Sequence, residues 1–117
     1  MQRYRQNDRK TGSYYETVAA GFLEKQGMRI LSRNYRIRLG EIDVIALDRD
    51  CICFIEVKYR STLAFGRPAE AVNEKKQRTI RRVAEFWCVS HKCCDRPARF
   101  DIIEIIGNDI RYLKNAF

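Results

Sequence analysis

The run CICFIEVKY, Cys51–Tyr59, decides the fold. Side chains on a strand alternate between faces. Cys51, Cys53, Ile55 and Val57 therefore share one side, and Ile52, Phe54, Glu56 and Lys58 share the other. Both sides begin apolar, which predicts a central strand covered on both faces. The run ends with a carboxylate and an ammonium group two residues apart, on one face of a strand that is otherwise built for burial. An unpaired buried carboxylate costs several kcal/mol unless hydrogen bonds or a cation compensate it.

Upstream, Arg29–Arg38 is β-branched and aromatic with interleaved arginines. Leu39-Gly40 reads as a turn, Glu41–Leu47 alternates, and Asp48–Asp50 turns the chain into the central run. Such short connections imply an antiparallel meander. Before it, Ser13 reads as the cap of a helix running to about Gln26, with Glu16 at the capping-box position and at the edge of an apolar stripe through Ala19, Ala20 and Leu23. Gly27 stops this helix. Residues 1–11 read as a loose basic arm containing Arg3, Arg5, Arg9 and Lys10, and residues 12–117 as a single domain. Downstream, a loop with Gly66 and Pro68 leads into a helical region over about Pro68–Val89, striped by Ile80, Val83, Ala84 and Trp87. Arg99–Ile106 and Asp109–Leu113 read as two further strands. The order α-β-β-β-α-β-β predicts an α/β fold: a mixed central sheet of about five strands flanked by helices.

The 117 residues suit one domain with one real core. Hydrophobic residues make up 45% and charged residues 32%, the balance of a soluble globular chain. No apolar leader opens the sequence and no apolar run approaches membrane-span length, so no membrane association and a cytoplasmic location are expected. The net charge of +8 points to a polyanionic partner, most simply nucleic acid. The five cysteines are odd in number and should be reduced in that compartment. Zinc ligation by Cys88, His91, Cys93 or Cys94 with the Cys51/Cys53 pair matches no standard spacing.

The meander sets Asp43 beside Glu56 if the register allows. Two carboxylates that close favour a bound divalent cation, and oxygen ligands without histidine suit Mg²⁺ or Mn²⁺. Lys58 would point at the same place. Glu56 and Lys58 alone fit an ordinary surface salt bridge better than a metal site; Asp43, the basic balance and Glu16 shift the reading toward a metal site. Glu41, at a strand start after a turn, reads as a solvated carboxylate. Tyr14, Tyr15, Tyr35 and Tyr59 are candidates for stacking on bases, whereas Trp87 completes the core stripe of its helix.

The chain resembles the YraN family of bacterial endonuclease-like proteins. The resemblance lies in Gly12–Glu16 with Ala19 and Leu23, in RNYRIRLGEIDVIA (Arg33–Ala46), in FIEVKYR (Phe54–Arg60), in AFGRPAEAV (Ala64–Val72), in Lys76-Gln77 and in RFDII (Arg99–Ile103). It implies the restriction-endonuclease-like fold, similar to archaeal Holliday-junction resolvases. It also implies a site made by an acid on the first helix, an acid on the second strand and an ExK on the third: Glu16, Asp43, Glu56 and Lys58. On that basis Mg²⁺ would be held by Asp43, Glu56 and the Val57 carbonyl, with Glu16 in support. Arg36, Arg60 and Lys76 would grip DNA phosphates. The expected activity is hydrolysis of DNA phosphodiesters, including branched or junction DNA; the alternative is a DNA-binding protein that keeps the fold without catalysis. A homodimer is left open, because related junction-cutting enzymes need two sites.

Overall fold

The computed structural model describes residues 6–60 and 72–117, with side chains from Tyr14 onward in the first stretch. The elements are α1 (Gln6–Lys25), β1 (Arg29–Ile37), β2 (Gly40–Asp48), β3 (Cys51–Arg60), α2 (Glu74–Ser90), β4 (Ala98–Ile106) and β5 (Asp109–Leu113). The five strands form one sheet in the order β1-β2-β3-β4-β5. β1, β2 and β3 pair antiparallel, β3 and β4 pair parallel, and β5 returns antiparallel to β4. The parallel step is the one connection that carries a helix, α2, as a crossover requires. This is the mixed α/β architecture and the element order expected from the sequence.

β3 is the middle strand, and each of its faces has its own core. Ile52 and Phe54 pack with Ile45, Ile80, Val83 and Trp87 under α2. Cys53 and Ile55 pack with Ala19, Leu23, Val44 and Ile103 under α1. Fully burying a side chain such as Phe54 stabilises the fold by about 1.5–3 kcal/mol, so a strand buried on both sides anchors both layers at once.

α1 ends in a Schellman arrangement. Gly27, at φ 89°, donates to Glu24 O at 3.0 Å, and Met28 N donates to Leu23 O at 3.1 Å. Met28 then enters the α1-side core. The start of α1 differs from expectation: it begins at Gln6, so Ser13 lies inside the helix and the helix takes in residues 6–11 of the stretch read as an arm. Met1–Arg5 lie outside the described residues, as does the 61–71 segment with Gly66, Pro68 and most of AFGRPAEAV. α2 starts later than expected, because Asn73 caps it: its side-chain oxygen accepts from Lys76 N at 2.9 Å. Ile80, Val83, Ala84 and Trp87 are all buried, as their spacing predicts.

Gly40 lets α2 settle onto the start of β2. A Cβ there would stand 2.8 Å from Thr79 Cγ2. Among the described residues no helix is long and apolar enough to cross a membrane.

Candidate functional site

The site forms where β2 and β3 part. Their ladder ends at Val44↔Ile55, and the next pair in that register is Asp43 and Glu56. Directly opposed residues of an antiparallel pair share a face. Both acids therefore stand on the α2 side of the sheet, in line with Ile45 and Phe54. The Val57 amide donates to Asp43 Oδ2 at 2.8 Å, so the carboxylate is pinned across the fork by the β3 backbone.

From the other side, α1 brings Glu16. Carboxylate oxygens of Glu16, Glu41 and Asp43 all lie within 4.8 Å of one another, each residue half-buried. Burial, followed by the charge of Glu56, pushes Asp43 well above the ordinary carboxylate value, and the Val57 amide opposes that rise only in part. Glu16 is raised as well, chiefly by burial, with hydrogen bonds from Asp43 and Asn34 working against the rise. Without a cation, burial and mutual repulsion penalise the charged forms of both acids. All the donors are hard carboxylate oxygens, the set that suits Mg²⁺ or Mn²⁺.

Glu56, 4% exposed, is held differently. Its Oε2 lies 3.2 Å from Lys76 Nζ and 3.7 Å from Lys58 Nζ. Partial burial works against the Lys76 charge, but Glu56, Asp43 and Glu41 outweigh it and raise the Lys76 pKa. A cleft of about 330 Å³ opens over this end of the sheet, lined by Glu41, Asp43 and Glu56 on one side and by Asn73, Lys75 and Lys76 on the other.

The structure thus brings Glu16, Asp43, Glu56, Lys58 and Lys76 to one end of the sheet. Val57 meets Asp43 through its amide N–H. Arg36 stands apart from the cleft lining: it pairs with Glu41 at 3.2 Å, and its side chain is 72% exposed. Arg60 ends β3, where its carbonyl accepts from Gly107 N at 3.0 Å. Two participants went unread in the sequence. Glu41, taken there as a solvated carboxylate, is a member of the acid trio; its signal was the i, i+2 spacing to Asp43, which puts both on one face. Asn34 faces Asp43 across the β1–β2 register, adopts φ 55° and hydrogen-bonds Glu16. A non-glycine residue held at positive φ costs of order 1–3 kcal/mol, and no local sequence pattern announces it.

Tyr15 and Tyr59 flank the site in sequence and stack at 3.7 Å, with Tyr14 edge-on to Tyr15 at 5.0 Å. The hydrogen bond to Tyr59 is the main reason the Tyr15 phenol is pushed up to about 12. All five cysteines are free thiols. Burial pushes Cys53 up to about 12 and Cys88 up to about 11, away from the thiolate that zinc needs. Among the described residues, no cysteine–histidine group converges as the acids do.

A sequence profile of the uncharacterised protein family UPF0102 matches residues 15–105. The chain belongs to this family. The match contains Glu16, Asp43, Glu56 and Lys58. The chain is similar to UPF0102 proteins of Alkaliphilus oremlandii (47% identical, covering 94% of this chain and 99% of the relative), Caldicellulosiruptor saccharolyticus (44%, 95% and 99%) and Clostridioides difficile (41%, 95% and 99%). UPF0102 relatives from these three organisms span the chain almost end to end. The site and both cores therefore lie within the shared unit.

Proposed function

We propose that this UPF0102 chain is a divalent-metal-dependent nuclease that hydrolyses DNA phosphodiesters. One observation carries the reading: three carboxylates from α1 and β2 converge within 4.8 Å, beside a buried glutamate that holds two lysines. Three acids with a strained asparagine behind them form an expensive arrangement, which a hard dication relieves. The family resemblance and the net charge of +8 support the same reading.

Asp43, Glu16 and Glu41 would hold Mg²⁺ or Mn²⁺; the bound ion supplies charge neutralisation at the scissile phosphate and a more acidic water. The Val57 amide fixes the aim of Asp43. Asn34 fixes Glu16. Glu56 holds Lys76 in the cleft and Lys58 beside it. Lys58, with its side chain 26% exposed, reaches solvent at the end of β3 and can bind a phosphate oxygen or orient the attacking water. The water gives up a proton as its oxygen bonds to phosphorus, one P–O ester bond breaks, and the leaving oxygen takes up a proton, so one water is consumed for each bond cut.

The test is an assay of labelled linear, flapped and branched DNA with Mg²⁺ or Mn²⁺, using the native chain, Asp43→Ala and Lys58→Ala. Cutting by the native chain and a loss of roughly 10²-fold or more in each variant are expected. Metal-independent binding without cutting would overturn hydrolysis and leave a DNA-binding module.

A further inference from the structure

We propose that the outward face of α2 binds the sugar–phosphate backbone of duplex DNA, with Lys75, Arg78 and Arg82 as its phosphate contacts. The proposal rests on the nuclease reading and names how the substrate is held beside the cleft.

α2 buries Ile80, Val83, Ala84 and Trp87 against the sheet. Lys75, Arg78 and Arg82 run along the opposite side at spacings of three and four residues, which places them on one line. All three are exposed. Glu74 and Glu85 share the helix, yet among the described residues none of the three cations enters an ion pair. Like charges on successive turns repel, and these side chains cover no core that would offset the repulsion. A polyanion lying along the row would reverse its sign.

The dimensions fit one DNA strand. Seven residues of helix advance about 10.5 Å. A strand of B-DNA presents one phosphate per roughly 3.4 Å of axis while winding around it, so long exposed side chains spread over that length can reach successive phosphates of one backbone. The row also begins in the right place. Lys75 lines the cleft, and Lys76, one residue on, reaches Glu56. Carboxylates in the cleft repel phosphates, so the strand must be gripped from the lip outward, and α2 leads directly away from it. Phe86, 52% exposed, and Val89, 61% exposed, continue the line past Arg82. They mark where the cationic row stops.

The experiment measures the affinity of the full chain for a short labelled duplex by fluorescence anisotropy, without divalent metal, between about 50 and 200 mM salt. Each of Lys75→Gln, Arg78→Gln and Arg82→Gln is expected to lower the salt slope by about 0.9, and the triple variant by about 2.7. Thermal midpoints of the free variants should not fall, because the substitutions relieve repulsion along the row, and Phe86→Gln/Val89→Gln should leave DNA affinity as it was. A triple variant with the native slope overturns the proposal. So does a native chain that ignores duplex DNA but binds an acidic protein through Phe86 and Val89. The two readings fail separately. Native binding and normal cutting by the triple variant would sink the α2 surface alone. A lost salt slope in a chain that never cuts DNA would sink hydrolysis alone.

Discussion

Asp101 on β4 and Asp43 on β2 are carboxylates of the same sheet with contrasting surroundings. Asp101, fully buried, accepts from Arg99 Nε at 3.0 and 3.1 Å, from the Tyr112 hydroxyl at 2.6 Å and from Asn115 N at 2.9 Å. Arg99 in turn donates to Asp48 Oδ2 at 2.9 Å. Hydrogen bonds to Tyr112, Asp101 and Asp48 overcome the desolvation of Arg99 and raise its pKa, while burial, followed by the bond to Asp101, raises that of Tyr112. This centre is complete, and it ties β2, β4, β5 and the C-terminal residues together. Asp43 accepts one backbone N–H, feels the charge of Lys76, and otherwise meets Glu16, Glu41 and Glu56. An acid answered by donors holds a fold together; an acid answered by other acids carries a repulsion that the proposed dication would relieve.

The largest expected effect falls on the complete centre. Asp101→Asn turns an amide N–H toward donors and leaves Arg99 without its main counter-charge. Removing one partner of a buried pair costs about 3–5 kcal/mol, a large share of the 5–15 kcal/mol that typically holds a domain. Thermal or urea unfolding measures this. The metal-free Asp43→Asn chain should be at least as stable as the native one at neutral pH, because it keeps an acceptor for the Val57 amide and loses the repulsion. If Asp43→Asn instead costs as much as Asp101→Asn, the contrast between the two centres is false.

The fold was legible because burial leaves a direct mark on residue choice. Cys51–Tyr59 is apolar on both faces, as a central strand must be, and turn residues set its neighbours at hairpin distance. The ExK spacing likewise fixed Glu56 and Lys58 on one face. The remainder depended on where strands diverge. Beyond Val44↔Ile55 the ladder opens, and the pleat no longer settles the partners there: Glu56 meets Lys76 from α2, while Asp43 also reaches Glu16 from α1. That Asn73 caps α2, and that Asn34 sits at φ 55° behind Glu16, are likewise tertiary outcomes.

A smaller effect should come from the metal itself. At one hundred times its Kd, Mg²⁺ stabilises a chain that binds it only when folded by about 2.7 kcal/mol. A rise in Tm of that origin is expected in the native protein and absent from Asp43→Asn. The pH dependence has a defined sign. Burial and the neighbouring acids raise Asp43 and Glu16 in the folded state, so the metal-free folded chain binds protons more tightly than the unfolded one. The penalty they impose is present at neutral pH and fades as pH falls through their raised values toward about 4. The stability gap between Asp43→Asn and the native chain should close over that window, while Mg²⁺ loses its effect as protons compete for the same oxygens. A gap independent of pH would show that the acids do not repel.

Asn34→Gly separates strain from aim. Glycine adopts φ 55° without penalty, so the metal-free fold should be no less stable, but Glu16 loses the amide that positions it. Supporting contacts of this kind typically change metal affinity by about 10–100-fold, which calorimetric titration with Mn²⁺ would read. Unchanged affinity would reduce Asn34 to a turn residue.

The smallest effect should come from Arg36. Its contact with Glu41 matches Arg99–Asp101 on paper, one guanidinium on one carboxylate, but the Arg36 side chain is 72% exposed where that of Arg99 is 13% exposed. Exposed pairs are worth about 0–1 kcal/mol and are screened by salt. Arg36→Ala should therefore shift stability by less than about 0.5 kcal/mol, against several for Arg99→Ala. Its trace should appear in the acid trio instead. Glu41 would no longer divide its charge between Arg36 and the cleft, so Mn²⁺ should bind slightly tighter, and the gain should vanish in high salt. If Arg36→Ala weakens metal binding, Glu41 needs that arginine to hold its place, and the trio is pre-organised from β1 as well as from α1 and β2.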